Sequence, residues 1–257
     1  MTAEREYVVR GIVLRTTKLG ESDLIVTLLG EDGSQVRLVA KGARKPQSTS
    51  SARLDLYSVV QVSCARGRSL DVARETRLVA ANSHVKADIA RSWCADPTME
   101  LLYRATQEAL PHPALYPSTV AFLAALDAAD ERALPAIAAA DLLKAISYLG
   151  FRPSFDRCVS CGRAVNVRGA DEVAFSILDG GVVCSNCRAH TNAVAEDANT
   201  VAWAQALLLS RFADIAANPP DYTSAFAVLG MVDRLVRAHL GFRLKSLGIL
   251  FSCGLFA

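Results

Sequence analysis

The chain has 257 residues, 51% of them hydrophobic and 21% charged, with a formal net charge of +2 at pH 7. This composition excludes a disordered or low-complexity chain and supplies core enough for one large domain or two ordinary ones. Its apolar runs are broken by charge well before the roughly 18 residues a membrane span requires, and no secretory pattern precedes the first strand, so a soluble, cytoplasmic protein is expected.

Charge is unevenly spread. Lys and Arg outnumber Asp and Glu by 13 to 9 over residues 1–80 and by 5 to 3 over residues 205–257, but trail by 10 to 14 between them. From Tyr7 to about Val79 the chain is rich in β-branched residues interrupted every eight to twelve positions by Gly, Asp or Ser, the rhythm of a small all-β domain. Strands are predicted at 7–14, 23–29, 34–41, 57–65 and 70–74. Gly30-Glu31-Asp32-Gly33 and Arg66-Gly67-Arg68-Ser69 are the hairpin turns between the second and third and between the last two. Five short strands over residues 1–80 point to an OB-fold barrel; the pattern alone also fits an SH3-like barrel.

The third strand carries a chemical signal. Val36, Leu38 and Ala40 alternate toward a core, which places Arg37 and Lys41 on the opposite, solvated face. Gly42-Ala43-Arg44-Lys45 and a Ser-rich stretch to Arg53 follow, and residues 34–54 hold five basic groups and no acid. A loop kept only for solubility mixes signs, whereas an unmixed cationic loop with Gly and Ser suits sugar-phosphate backbones. Arg37, Lys41, Arg44 and Lys45 are therefore the first-choice nucleic-acid contacts. Arg15, Arg53, Arg66 and Arg68 come next, and Lys18 lies in the same region. Tyr7 and Tyr57 are the aromatic residues here, too few to define a base-stacking platform.

From residue 81 onward Ala and Leu dominate and the period lengthens toward 3.6, predicting an α-helical domain over 81–257 with helices at 85–92, 98–110, 118–129, 135–149, 198–216 and 223–240. Leu229, Val232, Val236 and Leu240 form one stripe on the last of these, with Arg234 and Arg237 off it, where they extend a DNA path, meet an acidic partner or simply complement the helix dipole at its C-terminal end. An insertion over 155–190 interrupts the helices. Within it Cys158, Cys161, Cys184 and Cys187 make two Cys-x-x-Cys pairs 22 residues apart, the spacing of a tetrahedral zinc site. Four thiolates fill the coordination of one structural Zn2+ and leave no open position for chemistry. Disulfides or a redox pair are the alternatives. A hairpin is predicted at 174–183. Arg157, Arg163, Arg168 and Arg188 balance Asp156, Asp171, Glu172 and Asp179, so no direct DNA contact is expected from this module. Cys64, Cys94 and Cys253 remain as buried thiols.

Three amino-terminal segments together resemble the RecO family of recombination mediators: Gly11-Ile12-Val13-Leu14, Leu19-Gly20-Glu21-Ser22-Asp23, and Ala40-Lys41-Gly42-Ala43-Arg44-Lys45 with Ser48 following. The tail His239-Leu240-Gly241-Phe242-Arg243-Leu244-Lys245-Ser246 is similar to that family's carboxy-terminal signature. The resemblance implies an OB-fold that binds single- and double-stranded DNA, then a helical domain with a zinc module. It also implies strand annealing, RecR and single-strand-binding protein as partners, and help in loading a RecA-type recombinase, without nucleotide hydrolysis.

No phosphate-binding Gly-x-x-x-x-Gly-Lys-Ser/Thr loop, no Gly-x-Gly-x-x-Gly and no Gly-x-Ser-x-Gly elbow occurs. No His-x-Glu accompanies the cysteines, as a zinc deaminase requires. A binding protein is expected rather than an enzyme. An RNA-binding OB-fold protein of translation, distinguished by reading the 2′-hydroxyl, and a protein-interaction scaffold built on the Ala-rich helices are the other readings.

Overall fold

The structure, a computed structural model, describes residues 6–45, 48, 50–167 and 169–256. Pro46, Gln47 and Thr49 of the basic loop and Arg168 of the insertion lie outside the described residues. The chain divides into two compact units, one running to Ala95 and including Met99–Asp127, the other comprising Asp96–Thr98 and the chain from Ala128 onward.

In the first unit β1(Glu6–Leu19), β2(Asp23–Gly30), β3(Gln35–Ala40), β4(Val59–Ala65) and β5(Asp71–Ala80) close a barrel in the order β1-β2-β3-β5-β4, with α1(Ser50–Arg53) between β3 and β4. This is the expected OB-fold. Period-two patterning builds it: Leu24, Val26 and Leu28 of β2, Leu38 and Ala40 of β3, and Val60, Val62 and Cys64 of β4 all point into one core. A register shift between Val13 and Arg15 bends β1, so that one 14-residue strand pairs with β4 through its first half and with β2 through its second. Strand β5 extends beyond the predicted Arg74. The added residues lack clean alternation: Glu75, Arg77, Leu78 and Val79 are exposed while Thr76 turns inward.

Helices α2(Ser83–Ala87), α3(Ile89–Ala105) and α4(Leu115–Ala128) follow the barrel. The predicted helix at 85–92 is split at Asp88, whose carboxylate accepts the Arg91 N–H at 2.9 Å and caps a new helix. That helix runs through Pro97 and ends at Ala105, short of the predicted 110, with Cys94 and Thr98 buried on it.

The second unit is built on α5(Leu134–Tyr148), entered through a 3-10 turn at Glu131–Ala133 and buried on nearly every side. Its Ala-rich faces let α7(Ala198–Leu209), α8(Phe212–Ala217) and α9(Tyr222–Leu240) pack closely around it. The predicted helix at 198–216 is interrupted at Ser210. Lys144 of α5 donates to the carbonyls of Leu207, Leu208 and Ser210 at 3.2, 2.6 and 2.9 Å, satisfying the end of α7 where it would otherwise continue. Leu229, Val232 and Val236 are fully buried, whereas Leu240 is half-exposed. Gly241, at φ 73°, ends α9. A further helix, α10(Lys245–Ser252), buries Leu247 and Leu250, so α9 is not the last. Cys64 and Cys94 are buried as expected, but Cys253 is only half-buried.

The cysteine-rich insertion forms a small sheet from β6(Glu172–Ser176), β7(Gly181–Val182) and β8(Val194–Asp197) in the order β7-β6-β8, with a one-turn α6(Ser185–Arg188). The predicted hairpin is β6–β7; β8 is an addition. Among the described residues no helix is long and apolar enough to cross a membrane.

Candidate nucleic-acid interface and metal centre

Strand register sets the first site. Arg15 of β1 pairs across from Thr27 of β2, and Thr27 across from Arg37 of β3, so the two arginines stand in one row on the barrel's outer face. Lys41, Arg44 and Lys45 continue from the end of β3, all exposed. Their loop is fastened to the β1–β2 turn. Arg44 Nη1 donates to the carbonyls of Gly20 and Glu21 at 3.1 and 2.9 Å, and its backbone N–H donates to Ser22 O. Gly42 N–H donates to Asp23 Oδ1 at 2.8 Å, and that bond, with one from the Ser22 hydroxyl, holds the Asp23 carboxyl below its usual range. Lys41 and Lys45 reinforce the shift from nearby.

Across from β3 lies the β4–β5 loop. Gly67 is required in it, because a Cβ there would fall 1.9 Å from Leu70 O. Arg66 leans over the Tyr7 ring at 4.6 Å and pairs with Asp71 at 3.8 Å. Asp71 also accepts the Tyr7 hydroxyl at 2.6 Å and the Gly67 N–H at 2.9 Å, and these bonds keep its carboxyl ionised below the usual range. Burial, then the bond to Asp71, pushes the Tyr7 phenol up. Arg37 and Arg66, with Gln35, Ser69 and Glu108, line an open concavity of about 360 Å³. Arg68 stands exposed at the loop tip.

Of the eight predicted contacts, Arg66 alone forms an ion pair with a described residue; Arg37, Lys41, Lys45 and Arg68 are exposed without one. Arg53 is fastened elsewhere on the wall, its guanidinium donating to Thr76 O of β5 at 2.9 Å. In the second unit Arg234 pairs with Glu196 at 2.7 Å and Arg237 with Asp233, so both cations there are tied to carboxylates. Neither aromatic noted in the sequence offers an open face: Tyr7 lies beneath Arg66, and Tyr57 is 6% exposed. The sequence reading missed Tyr103, whose ring lies 4.7 Å beneath the Arg15 guanidinium, and the exposed Arg74 and Arg77 on β5. Tyr103 sits 88 positions along the chain from Arg15, with no local pattern to connect them.

The thiols of Cys158, Cys161, Cys184 and Cys187 all lie within 4.8 Å of one another, and the Cys161 and Cys184 sulfurs are 3.7 Å apart. Four sulfurs at about 2.3 Å from a central ion would be about 3.8 Å apart at tetrahedral angles, so this set can hold one metal ion. Each pair occupies a tight turn. Cys158 accepts the Gly162 N–H on its carbonyl, with Gly162 at φ 73° where a side chain is disfavoured, and Cys184 O accepts from Cys187 and Arg188. Backbone N–H groups, that of Cys184 foremost, draw the Cys158 thiol down to about 6. Hydrogen bonds that the Cys187 thiol donates to the neighbouring sulfurs, Cys184 first, hold its proton on instead.

Behind the sulfurs Ala174 and Val183 form a small apolar base, and Phe155 stacks on Phe175 at 6.0 Å. Two bonds from α9 clamp the sheet: His239 Nε2 meets Ile177 O at 2.9 Å, and Arg234 meets Glu196 of β8.

The family description "Recombination protein O N terminal" matches residues 1–82, and "Recombination protein O C terminal" matches residues 86–248. Proteins named "DNA repair protein RecO" from Desulfitobacterium hafniense, strains DSM 10664 / DCB-2 and Y51, are each 32% identical over 182 residues. That match covers 71% of this chain and 64% of the length of each relative.

Proposed function

The chain belongs to the RecO family, and on that premise we propose that it is a recombination mediator of DNA repair that binds single- and double-stranded DNA through its barrel. It anneals complementary strands and helps a RecA-type recombinase onto DNA coated by single-strand-binding protein, with RecR as a further partner. It works in the cytoplasm at the nucleoid, as a binding protein rather than an enzyme.

The observation that carries this reading is the row of exposed cations on β3 and the loop after it, where Arg37, Lys41 and Lys45 meet no carboxylate in an ion pair among the described residues. The β2–β3 face and the β1–β2 and β4–β5 loops are where OB-folds take oligonucleotides. Arg15, Arg37, Lys41, Arg44, Lys45, Arg66 and Arg68 lie on or beside those elements, and Arg53 serves from the wall. Two approaching strands repel through their phosphates, and a cationic surface that neutralises both lowers that barrier.

The four cysteines hold a structural Zn2+, one per chain. The ion supplies fixed charge that keeps four thiolates together; the residues around it position the sheet.

Annealing of complementary oligonucleotides, bare and coated with single-strand-binding protein, tests the function. Acceleration on both substrates is expected, with a loss of acceleration when Arg37, Lys41 and Lys45 are replaced by Glu. A protein that leaves both rates at the spontaneous value overturns the reading.

A further inference from the structure

Arg15 and Tyr103 form a structure of their own on the barrel. Tyr103 sits near the end of α3, and that end is fixed to β3 twice: the Tyr103 carbonyl accepts from Gln35 Nε2 at 2.6 Å, and the Gln107 carbonyl accepts the Gln35 N–H at 3.0 Å. The half-buried ring is thereby held against the outer face, with the exposed Arg15 guanidinium over it at 4.7 Å from the centroid. Cation–π attraction orders an otherwise flexible side chain. The result is a planar cation with one side on an aromatic ring, exposed to solvent, and in the same cross-strand row as Arg37.

Planar guanidinium groups and aromatic rings are both surfaces on which unstacked bases lie. We propose that Arg15 on Tyr103 is a base-stacking platform that receives one unpaired base, while Arg37, two strands across, holds a neighbouring phosphate. This rests on the reading that the barrel face binds DNA, and it adds a preference: a duplex keeps its bases stacked inside and offers this platform nothing, whereas a single strand does.

Tyr103→Leu keeps bulk and removes the ring; Arg15→Lys keeps charge and removes the plane. Binding of each, and of the unchanged protein, to an oligo-dT strand and to a duplex of equal length is measured by anisotropy at one fixed salt concentration, with thermal midpoints alongside. The ratio of single-strand to duplex affinity is expected to fall about 5- to 160-fold in either variant, the range for one stacked base. A strand with one 2-aminopurine should be quenched on binding the unchanged protein and less so on binding Tyr103→Leu. An unchanged ratio in Arg15→Lys overturns the platform, as does an equal loss on both DNAs. Should Tyr103→Leu lose its fold, Arg15→Lys still decides. If the unchanged protein binds neither DNA, it is the reading of the barrel that fails.

Discussion

Replacing Arg37, Lys41 and Lys45 together by Gln removes three cations that stand on one edge of the barrel without an ion pair among the described residues. No buried contact is lost with them, since all three are exposed, so the fold should be unaffected. Each phosphate neutralised contributes about 0.9 to the slope of log K against log[salt] on duplex DNA and about 0.7 on a single strand. Three contacts therefore account for a slope change of about 2.7 on duplex and about 2.1 on a single strand. At 0.1 M salt the same coefficients make binding roughly 500-fold weaker on duplex and roughly 100-fold weaker on a single strand. Titrations at four salt concentrations between about 0.05 and 0.3 M measure the slope directly, and oligonucleotides of unrelated sequence should all lose affinity alike. Arg234→Gln is the control: that cation is tied to Glu196, and its removal should leave the slope where it was. A triple variant with unchanged slope and affinity would refute the assignment of this edge to phosphate.

Two further outcomes concern the second unit. Cys158→Ser should lower bound zinc from about one per chain to well below that and expose the amides of β6 and β7 to hydrogen exchange; protection equal to the unchanged protein in a metal-free preparation would reject a structural ion. Asp141, fully buried with one hydrogen bond from the Thr98 hydroxyl at 2.9 Å, is pushed up by burial from 3.8 to about 7, against the pull of that bond and of Lys144. A carboxyl raised in the folded state binds its proton more tightly there than when unfolded, so stability should fall as pH rises from about 4 to about 7, by about 4 kcal/mol at most from this group. Asp141→Asn should lose that dependence, and urea unfolding of both proteins at pH 5 and pH 8 checks it.

The barrel was legible because its information is local. Period-two alternation in Val36, Leu38 and Ala40 fixes which side of β3 meets the core, and that alone puts Arg37 outside. The Cys-x-x-Cys pairs were legible for the same reason: metal ligands three apart in a turn need no distant partner. What escaped was set by distant residues. Nothing near Ser210 signals a helix end; Lys144, 66 positions earlier, makes it one by satisfying three carbonyls. Strand β8 reads Val-Ala-Glu-Asp, poor in β-formers, and exists because Glu172 to Phe175 of β6 offer it a ladder. Tyr103 comes to lie beneath Arg15 with the end of its helix anchored by Gln35.

Local bonding also separates the candidate cations into kinds that sequence could not distinguish. A guanidinium that donates to carbonyls, as Arg44 does to Gly20 and Glu21, gives up its mobility but keeps its whole charge. Its charge therefore stays available to a phosphate, while its bonds hold the Lys41 and Lys45 loop in place. Arg66 differs, because Asp71 stands beside it as an ionised carboxylate fixed by Tyr7 and Gly67. A phosphate that reaches Arg66 must compete with that carboxylate and is repelled by it, so the field along this edge is strongest from Arg37 through Lys45 and weakens toward the β4–β5 loop. Strand capture should accordingly begin at the β3 end, where Arg37, Lys41 and Lys45 outnumber the Asp23 carboxylate, which is itself bonded by the Gly42 N–H and the Ser22 hydroxyl.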